Sequence, residues 1–379
     1  MSNIIVLGAG MVGSVIARDL SEKHDVTIAD IEPQTLKLLK KRLPSINTEE
    51  VNALDAEALN NLLQPFDIVI CAVPGNLGFK VLKNVIEAGK NVVDISFAEE
   101  NCLELDYLAK KNNVTAVIDC GVAPGMDNLL LGFLNTKIEV TDFECFVGGL
   151  PKTRSKPFEY KAPFSPLDVI AEYVRPVHYF ENGRELVKEP LTDRELVEFD
   201  RIGTLEAFNT DGLRSLIYTM SHIPNMKEKT LRYPGHVEAI RTLKHSGFFD
   251  QEPVTVNGME VSPLEFTSKV LINEWKLKRK EEEFTIMRVN IRGIESGKRK
   301  EYIYDLYDEY DSIKQETSMA RTTGFTANAV ASLILKDKFN KIGVYAPEHI
   351  GGHTDCCKTV IDYMEERKVR YRLEVNSLD

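Results

Sequence analysis

An apolar run at residues 4–7 leads directly into Gly8-Ala9-Gly10-Met11-Val12-Gly13, and a helix-forming stretch follows over 11–21. Few features constrain a fold more. A strand, a turn with glycine at its first, third and sixth positions, and a helix form the opening unit of a doubly wound α/β sheet. Gly8 permits the tight turn. Gly10 lets the backbone approach a pyrophosphate, and Gly13 lets the helix pack close to the strand. The helix start, with Met11 and Val12, offers unpaired N–H groups and a partial positive charge to phosphates. Asp30 closes the second apolar run, 22 positions after Gly8. A carboxylate there accepts the ribose hydroxyls of adenosine and repels a 2′-phosphate. Ile31, Glu32 and Pro33 supply no arginine for that phosphate. The expectation is a dinucleotide site that takes NAD rather than NADP.

The rest of the first third fits this unit. Val-, Ile- and Ala-rich runs at 4–7, 26–29, 68–72, 92–95 and 115–118 alternate with helix-forming stretches at 11–21, 34–43, 55–63 and 78–88. The runs show little polar alternation, as strands covered on both faces do. The fold class expected is α/β: a doubly wound Rossmann-type parallel sheet with right-handed crossovers. Near residue 125 the rhythm changes. Pro151, Pro157, Pro163 and Pro166, with Lys152, Arg154, Lys156 and Lys161 among them, predict a long exposed connection. Strands at 142–147 and 284–291 and helices at 211–220, 237–246 and 263–275 describe a mixed α/β region on the substrate side. A helix over 318–336, with Phe325, Val330, Leu333 and Ile334 on its apolar face, should return to the first domain. The charged run 276–283 reads as a solvated helix end.

The chain has 379 residues and a net charge of −11, enough length for two domains and the wrong sign for nucleic acid. It has no apolar run long enough to cross a bilayer. Its N-terminus lacks the basic segment and cleavage site of a signal peptide. Cys71, Cys102, Cys120, Cys145, Cys356 and Cys357 form no CxxC pair and suit free thiols in a reducing cytoplasm. His349, His353 and Asp355 beside the two last cysteines match no closed zinc spacing, and no metal is expected.

Loops at the carboxyl ends of the strands should complete the dinucleotide site. Asn52 and Ala53 fall beside the adenine; Ala72, Val73, Pro74 and Asn76 fall near the second ribose. Asp94 and Ser96 end the next strand, and Asp119 to Gly125, with Val122 and Ala123, end the one after. Nicotinamide belongs beside these last two loops.

Later segments resemble a known family. The run DCGVAPGMD at 119–127 resembles the Gly-x-x-Pro-Gly turn of the saccharopine dehydrogenase-like family. VDISF at 93–97, VGGLP at 147–151, EAFNTDGLRS at 206–215, KTLRYPGH at 229–236 and SMARTTG at 318–324 add to the resemblance, which runs over nearly the whole chain. Within the family it is most similar to the lysine 6-dehydrogenases. Saccharopine dehydrogenases carry an acidic residue where this chain has Ala123, and arginine between the Asn and Asp that here flank Thr210. Saccharopine brings an extra pair of carboxylates that need cations, so both departures favour free lysine. The resemblance implies a dinucleotide-binding domain (1–124 and 317–379) and an inserted mixed α/β domain (125–316) for substrate binding and dimerisation, hence a homodimer. It also implies NAD-dependent oxidation at the side-chain amine of lysine, the imine being hydrolysed and the product cyclising to a piperideine carboxylate. The alternatives are a saccharopine or other opine-type dehydrogenase, and a dinucleotide-binding protein without catalysis.

The chemistry asks for a base and a cation. A lysine amine has a pKa of about 10.4, and hydride leaves only from beside the neutral amine. Asp94 and Asp119 are candidates to hold the ammonium, take its proton or activate water; either could instead cap a loop or bind ribose. His236 could orient the amine or be a capping residue. Arg214 and Arg232, inside the later motifs, are candidates for the substrate carboxylate or for structural ion pairs, and Ser96 belongs to both ligands' surroundings. Asp127 fits the start of a helix.

Overall fold

The computed structural model describes residues 1–278 and 280–379. The charged run 276–283 therefore includes one position, 279, outside the described residues.

Six strands open the chain: β1 (Asn3–Leu7), β2 (Asp25–Asp30), β3 (Asn47–Glu50), β4 (Ile68–Cys71), β5 (Asn91–Asp94) and β6 (Thr115–Val117). Five helices lie among them: α1 (Met11–Leu20), α2 (Pro33–Arg42), α3 (Ala56–Leu63), α4 (Gly75–Glu87) and α5 (Asp106–Lys111). The strands form one parallel sheet in the order β3-β2-β1-β4-β5-β6, and Gly343–Tyr345 adds a seventh strand beside β6. Order reverses between β1 and β4, so a crevice opens above their carboxyl ends. Ile4, Ile5, Val6 and Leu7 are all buried, alternately against two apolar layers. At roughly 25 cal/mol per Å² of apolar surface, such doubly covered strands carry much of the first domain's stability. The strand β3, sequence NTEE, is polar and largely exposed at the sheet edge, which is why no apolar run announces it.

The helix Ser318–Leu335 comes back to this sheet as expected. Phe325, Val330, Leu333 and Ile334 share its core with α1. Gly324 makes that approach possible, because a β-carbon there would lie 3.0 Å from Cγ1 of Ile16.

The middle of the chain builds a second, nine-stranded sheet. Its path runs Glu195–Phe199, Gly203–Asn209, Asn225–Arg232, β7 (Glu139–Pro151), Glu283–Glu295, Lys298–Glu309 and Tyr371–Ser377. Asn225–Arg232 and β7 are parallel, while the other pairs on this path are antiparallel. Tyr371–Ser377 thus joins the second sheet, although it follows the strand Gly343–Tyr345 of the first.

Two expectations change. The helix at 211–220 shrinks to Leu216–Thr219, because residues 210–215 form a loop in which Arg214 takes a left-handed conformation, φ 48°. The proline-rich connection is exposed only over its first part. Tyr160 and Ala162 are buried, since Tyr160 packs on Trp275 with ring centroids 5.5 Å apart and carries the Arg232 guanidinium 4.4 Å from its own centroid.

Candidate active site

A cavity of about 460 Å³ lies between the carboxyl ends of the first sheet and the face of the second. Gly8, Gly10, Met11, Val12 and Gly13 form its floor. Gly8 has φ +105°, and a β-carbon on it would sit 2.3 Å from the Ala72 carbonyl oxygen. A β-carbon on Gly13 would lie 2.0 Å from the Gly8 carbonyl oxygen. Only glycine allows strand, turn and helix to meet this closely. Around Gly10 no atom lies within 4 Å of such a carbon, so its face is open to the cavity. Space there, with the first-turn N–H groups that no α-helix can pair internally, fits a pyrophosphate.

Asp30 also lines the cavity. Its Oδ2 accepts the Ala9 N–H at 2.7 Å and its Oδ1 accepts the Glu32 N–H at 2.9 Å, which hold the carboxylate at the end of β2. Ala72, Val73, Pro74, Ser96, Val122 and Ala123 are in the lining as well. Asn52, Ala53 and Asn76 are not among the lining residues. Asn52 turns its Oδ1 back to the Leu54 N–H at 3.1 Å, and the Ala53 carbonyl accepts the Asn84 side chain of α4 at 3.1 Å.

The two predicted carboxylates occupy different depths. Asp119 lines the cavity and accepts the Ser215 N–H at 3.2 Å. Asp94 is 1% exposed and sits behind Ser96, whose Oγ donates to Asp94 Oδ2 at 2.7 Å. The other oxygen, Oδ1, is buried with no hydrogen-bond partner among the described residues. Burial pushes the Asp94 carboxyl up to about 8, and burial raises Asp119 too. Ser96, and not Asp94, is the member of this pair that lines the cavity. Asp127 serves the helix Met126–Asn135 as expected, accepting the Gly125 N–H at 2.9 Å.

Arg232 reaches the cavity; His236 and Arg214 are not in its lining. The Arg232 guanidinium is 2% exposed, donating through Nη2 to Glu172 at 2.8 Å, through Nε to the Tyr173 hydroxyl at 3.3 Å and through Nη1 to the Leu231 carbonyl at 3.0 Å. Two of its five N–H donors remain. His236 is buried among Tyr160, Tyr173 and Trp275, with Nδ1 on the Phe158 carbonyl at 2.9 Å and Nε2 facing the Tyr173 hydroxyl at 3.0 Å. Burial, helped by the Arg232 charge, lowers its pKa to about 3. It is a neutral ring that positions Tyr173, and through Tyr173 the guanidinium. His236 thus lies outside the cavity lining, behind Tyr173, with Gly235 in a left-handed conformation at the start of its helix. Arg214 pairs with Asp211 at 2.8 Å, donates to the Ala98 carbonyl and lies 5.1 Å from the Phe97 ring centroid, so it fastens the 210–215 loop to the first domain.

Sequence reasoning missed Asp168, Glu172 and Glu228, which all line the cavity. For Glu228 a signal existed. Side chains two apart on a strand share a face, so Arg232 at the cavity implies Thr230 and Glu228 there too. Apart from Asp30, the lining carries five carboxylates, Asp119, Asp168, Glu172, Asp211 and Glu228, and, among the described residues, one cation, Arg232. His349 and His353 pack edge-on against Tyr345 and Phe339, and Cys356 and Cys357 are buried. No helix among the described residues is long and apolar enough to cross a membrane.

Known proteins share this organisation. The family model described as saccharopine dehydrogenase NADP binding domain matches residues 4–117, and the one described as saccharopine dehydrogenase C-terminal domain matches 121–369. The mitochondrial alpha-aminoadipic semialdehyde synthase of Mus musculus is 27% identical over 278 residues, covering 69% of this chain and 30% of its own. The chain thus spans under a third of that relative. Carboxyaminopropylagmatine dehydrogenase of a Synechocystis species is 23% identical, with 92% of this chain and 93% of that protein covered. In structure, the apo saccharopine dehydrogenase (L-Glu forming) of Saccharomyces cerevisiae superposes with a TM-score of 0.79 at 18% identity, over 100% of both chains, which establishes the shared fold. With both domain models matched in sequence order and the fold reproduced, the chain belongs to the saccharopine dehydrogenase family.

Proposed function

We propose that this protein is an NAD-dependent dehydrogenase that oxidises the side-chain amine of lysine, releasing ammonia and an aldehyde that cyclises. One observation carries the reading: the glycine turn and Arg232, the single lining cation among the described residues, share one cavity. That suits a substrate with one carboxylate. Saccharopine, with three, leaves two without a cationic partner. NAD is favoured over NADP because the Asp30 carboxylate faces the ribose end with Ile31 beside it. Bound on the Gly8–Gly13 turn, the nicotinamide supplies the hydride acceptor. Arg232 holds the substrate carboxylate with its two remaining N–H groups. Asp119 directly, and Asp94 through the Ser96 hydroxyl, take the proton of the water that hydrolyses the imine.

The test is reduced-nicotinamide formation with lysine, ornithine, saccharopine and carboxyaminopropylagmatine, each with NAD and NADP. The last compound belongs in the panel because carboxylates outnumber cations in the lining. The expected result is turnover with lysine and NAD, and a KM for NAD raised about 10-fold in Asp30→Ala with weaker discrimination against NADP. Turnover of saccharopine alone would reject the lysine reading, and an unchanged cofactor preference in Asp30→Ala would reject the NAD assignment.

A proton acceptor must be ionised to act, so the Asp94 role predicts a kcat that rises with pH through about 8. Asp94→Asn should remove that limb and slow the plateau about 100-fold. A pH profile that survives the substitution would leave Asp119 as the acceptor.

A homodimer and a cytoplasmic location complete the reading. Leu373 and Val375, on the outermost strand of the second sheet's path and each 47% exposed, are available to a second copy, and light scattering in solution measures the mass.

A further inference from the structure

Glu228 has a role in none of the steps above, yet it is the least satisfied charge-bearing group in the cavity lining. It sits on the strand Asn225–Arg232, hydrogen-bonded in the second sheet between β7 and Gly203–Asn209. The side chain is 4% exposed. Its neighbours in the lining are each engaged: Glu172 with Arg232, Asp211 with Arg214, Asp168 with the Gly75 N–H at 3.1 Å, Asp119 with the Ser215 N–H. Among the described residues, Glu228 Oε2 is buried with no hydrogen-bond partner and no ion pair reaches the carboxylate. The cavity wall is shaped around it. A β-carbon on Gly212 would fall 0.6 Å from Oε2, so the carboxylate rests on the bare face of that glycine, in a loop that also lines the cavity. A buried carboxylate without a partner costs several kcal/mol unless something else supplies a proton or a cation.

We propose that Glu228 is the catalytic residue that receives the substrate's primary amine, binding it as a carboxylate–ammonium pair against Gly212 and taking the nitrogen-bound proton before hydride leaves. The inference rests on the dehydrogenase reading given above. The step balances. R–CH2–NH3⁺ and the Glu228 carboxylate become R–CH2–NH2 and the Glu228 carboxylic acid, one N–H bond breaking and one O–H bond forming. The freed nitrogen lone pair forms the C=N bond as the C–H electron pair departs as hydride to the oxidised nicotinamide. Water then converts the iminium to aldehyde and ammonium with no change in proton count, and Glu228 returns its proton to solvent as the one proton released overall.

The surroundings favour this transfer. Burial raises the Glu228 carboxyl well above the carboxylate range, and Asp127, Glu172 and Asp211 push the same way against Arg214. Tyr179 and Cys145 face it from the adjoining strands and are neutral at physiological pH, both raised by burial. In such a pocket an ion pair loses to the neutral amine beside the neutral acid, and the neutral amine is the reactive form. Burial therefore favours the protonated acid in the free enzyme, and binding an ammonium should expel that proton.

Calorimetry of amine binding, in buffers of different ionisation enthalpy and with NAD present, reads that proton. The probes are lysine and 1,5-diaminopentane, at pH 7, on wild type, Glu228→Gln and Gly212→Ala, with NAD binding as the check that each variant is folded. Wild type should release about one proton per amine bound, and Glu228→Gln none, with kcat for lysine lower by about 100-fold or more. Gly212→Ala, whose new methyl group displaces the carboxylate, should show the same losses at smaller size. If wild type turns over amines and Glu228→Gln keeps both its proton release and a kcat within about threefold, the Glu228 assignment is overturned and the dehydrogenase reading stands. If no amine is oxidised while binding still expels a Glu228-dependent proton, the dehydrogenase reading fails and the amine site stands. Absence of both overturns both.

Discussion

Arg232→Met should raise the KM for the amino-acid substrate about 100-fold or more while leaving NAD affinity unchanged. A charge pair at ~4 Å is worth roughly 4 kcal/mol at an effective dielectric near 20, and each 1.4 kcal/mol is about tenfold in affinity. The same substitution should lower stability by about 3–5 kcal/mol, because it strands Glu172 as a buried carboxylate without its partner. It also removes the guanidinium from the Tyr160 face, 4.4 Å from the ring centroid. The two losses separate in a double variant. Adding Glu172→Gln to Arg232→Met should restore most of the stability, measured by urea unfolding, without restoring KM. A KM that stays at the wild-type value in Arg232→Met would remove the substrate role and leave Arg232 as a structural ion pair. Arg232→Lys is the informative conservative change: it keeps the charge and loses the fork, so a partial KM defect is expected.

The second large effect divides two glycines of one turn. In Gly13→Ala the added carbon meets backbone, 2.0 Å from the Gly8 carbonyl oxygen, and the helix α1 must move off the strand. A cost of about 3 kcal/mol or more is expected, a Tm lower by roughly 6–12 °C, with dinucleotide binding lost as the helix start shifts. In Gly10→Ala the carbon meets no protein atom within 4 Å. Its Tm should stay within about 2 °C of wild type, while the methyl group occupies the space where pyrophosphate lies and weakens NAD binding at least tenfold. Equal thermal losses in the two variants would mean that the open face of Gly10 is not the phosphate site.

The first sheet was readable because its strands are buried on both faces, and apolar runs between helices have few other uses. The strand β3 was not, since NTEE at an exposed edge carries no burial signal. The pairing of the second sheet was unreadable for a different reason. Its parallel contact joins β7 to Asn225–Arg232 across about 80 residues, and no local pattern encodes a partner that distant. At the site, the glycine turn and Asp30 followed from motif spacing, Ser96 and Asp119 from strand-end position, and Arg232 from the family resemblance, and all line the cavity. Asn52 and Ala53 lie outside the cavity lining, since a strand end specifies a neighbourhood and not a side-chain direction. Likewise His236 four residues after Arg232 says nothing about which way the helix His236–His245 turns its first ring.

The placement of Tyr371–Ser377 has a consequence for how the protein is made. Lys298–Glu309 pairs on one side with Glu283–Glu295 and on the other with Tyr371–Ser377. During synthesis at a few residues per second, the parallel core β1 to β6 can assemble while the second sheet still shows an unpaired rim, twelve residues long. An open rim of that length is a template for strands from other chains. Newly made copies are therefore most prone to mispair with one another in the interval between the emergence of residue 309 and that of residue 377. A co-translational chaperone should engage this chain late in its synthesis, on its substrate half.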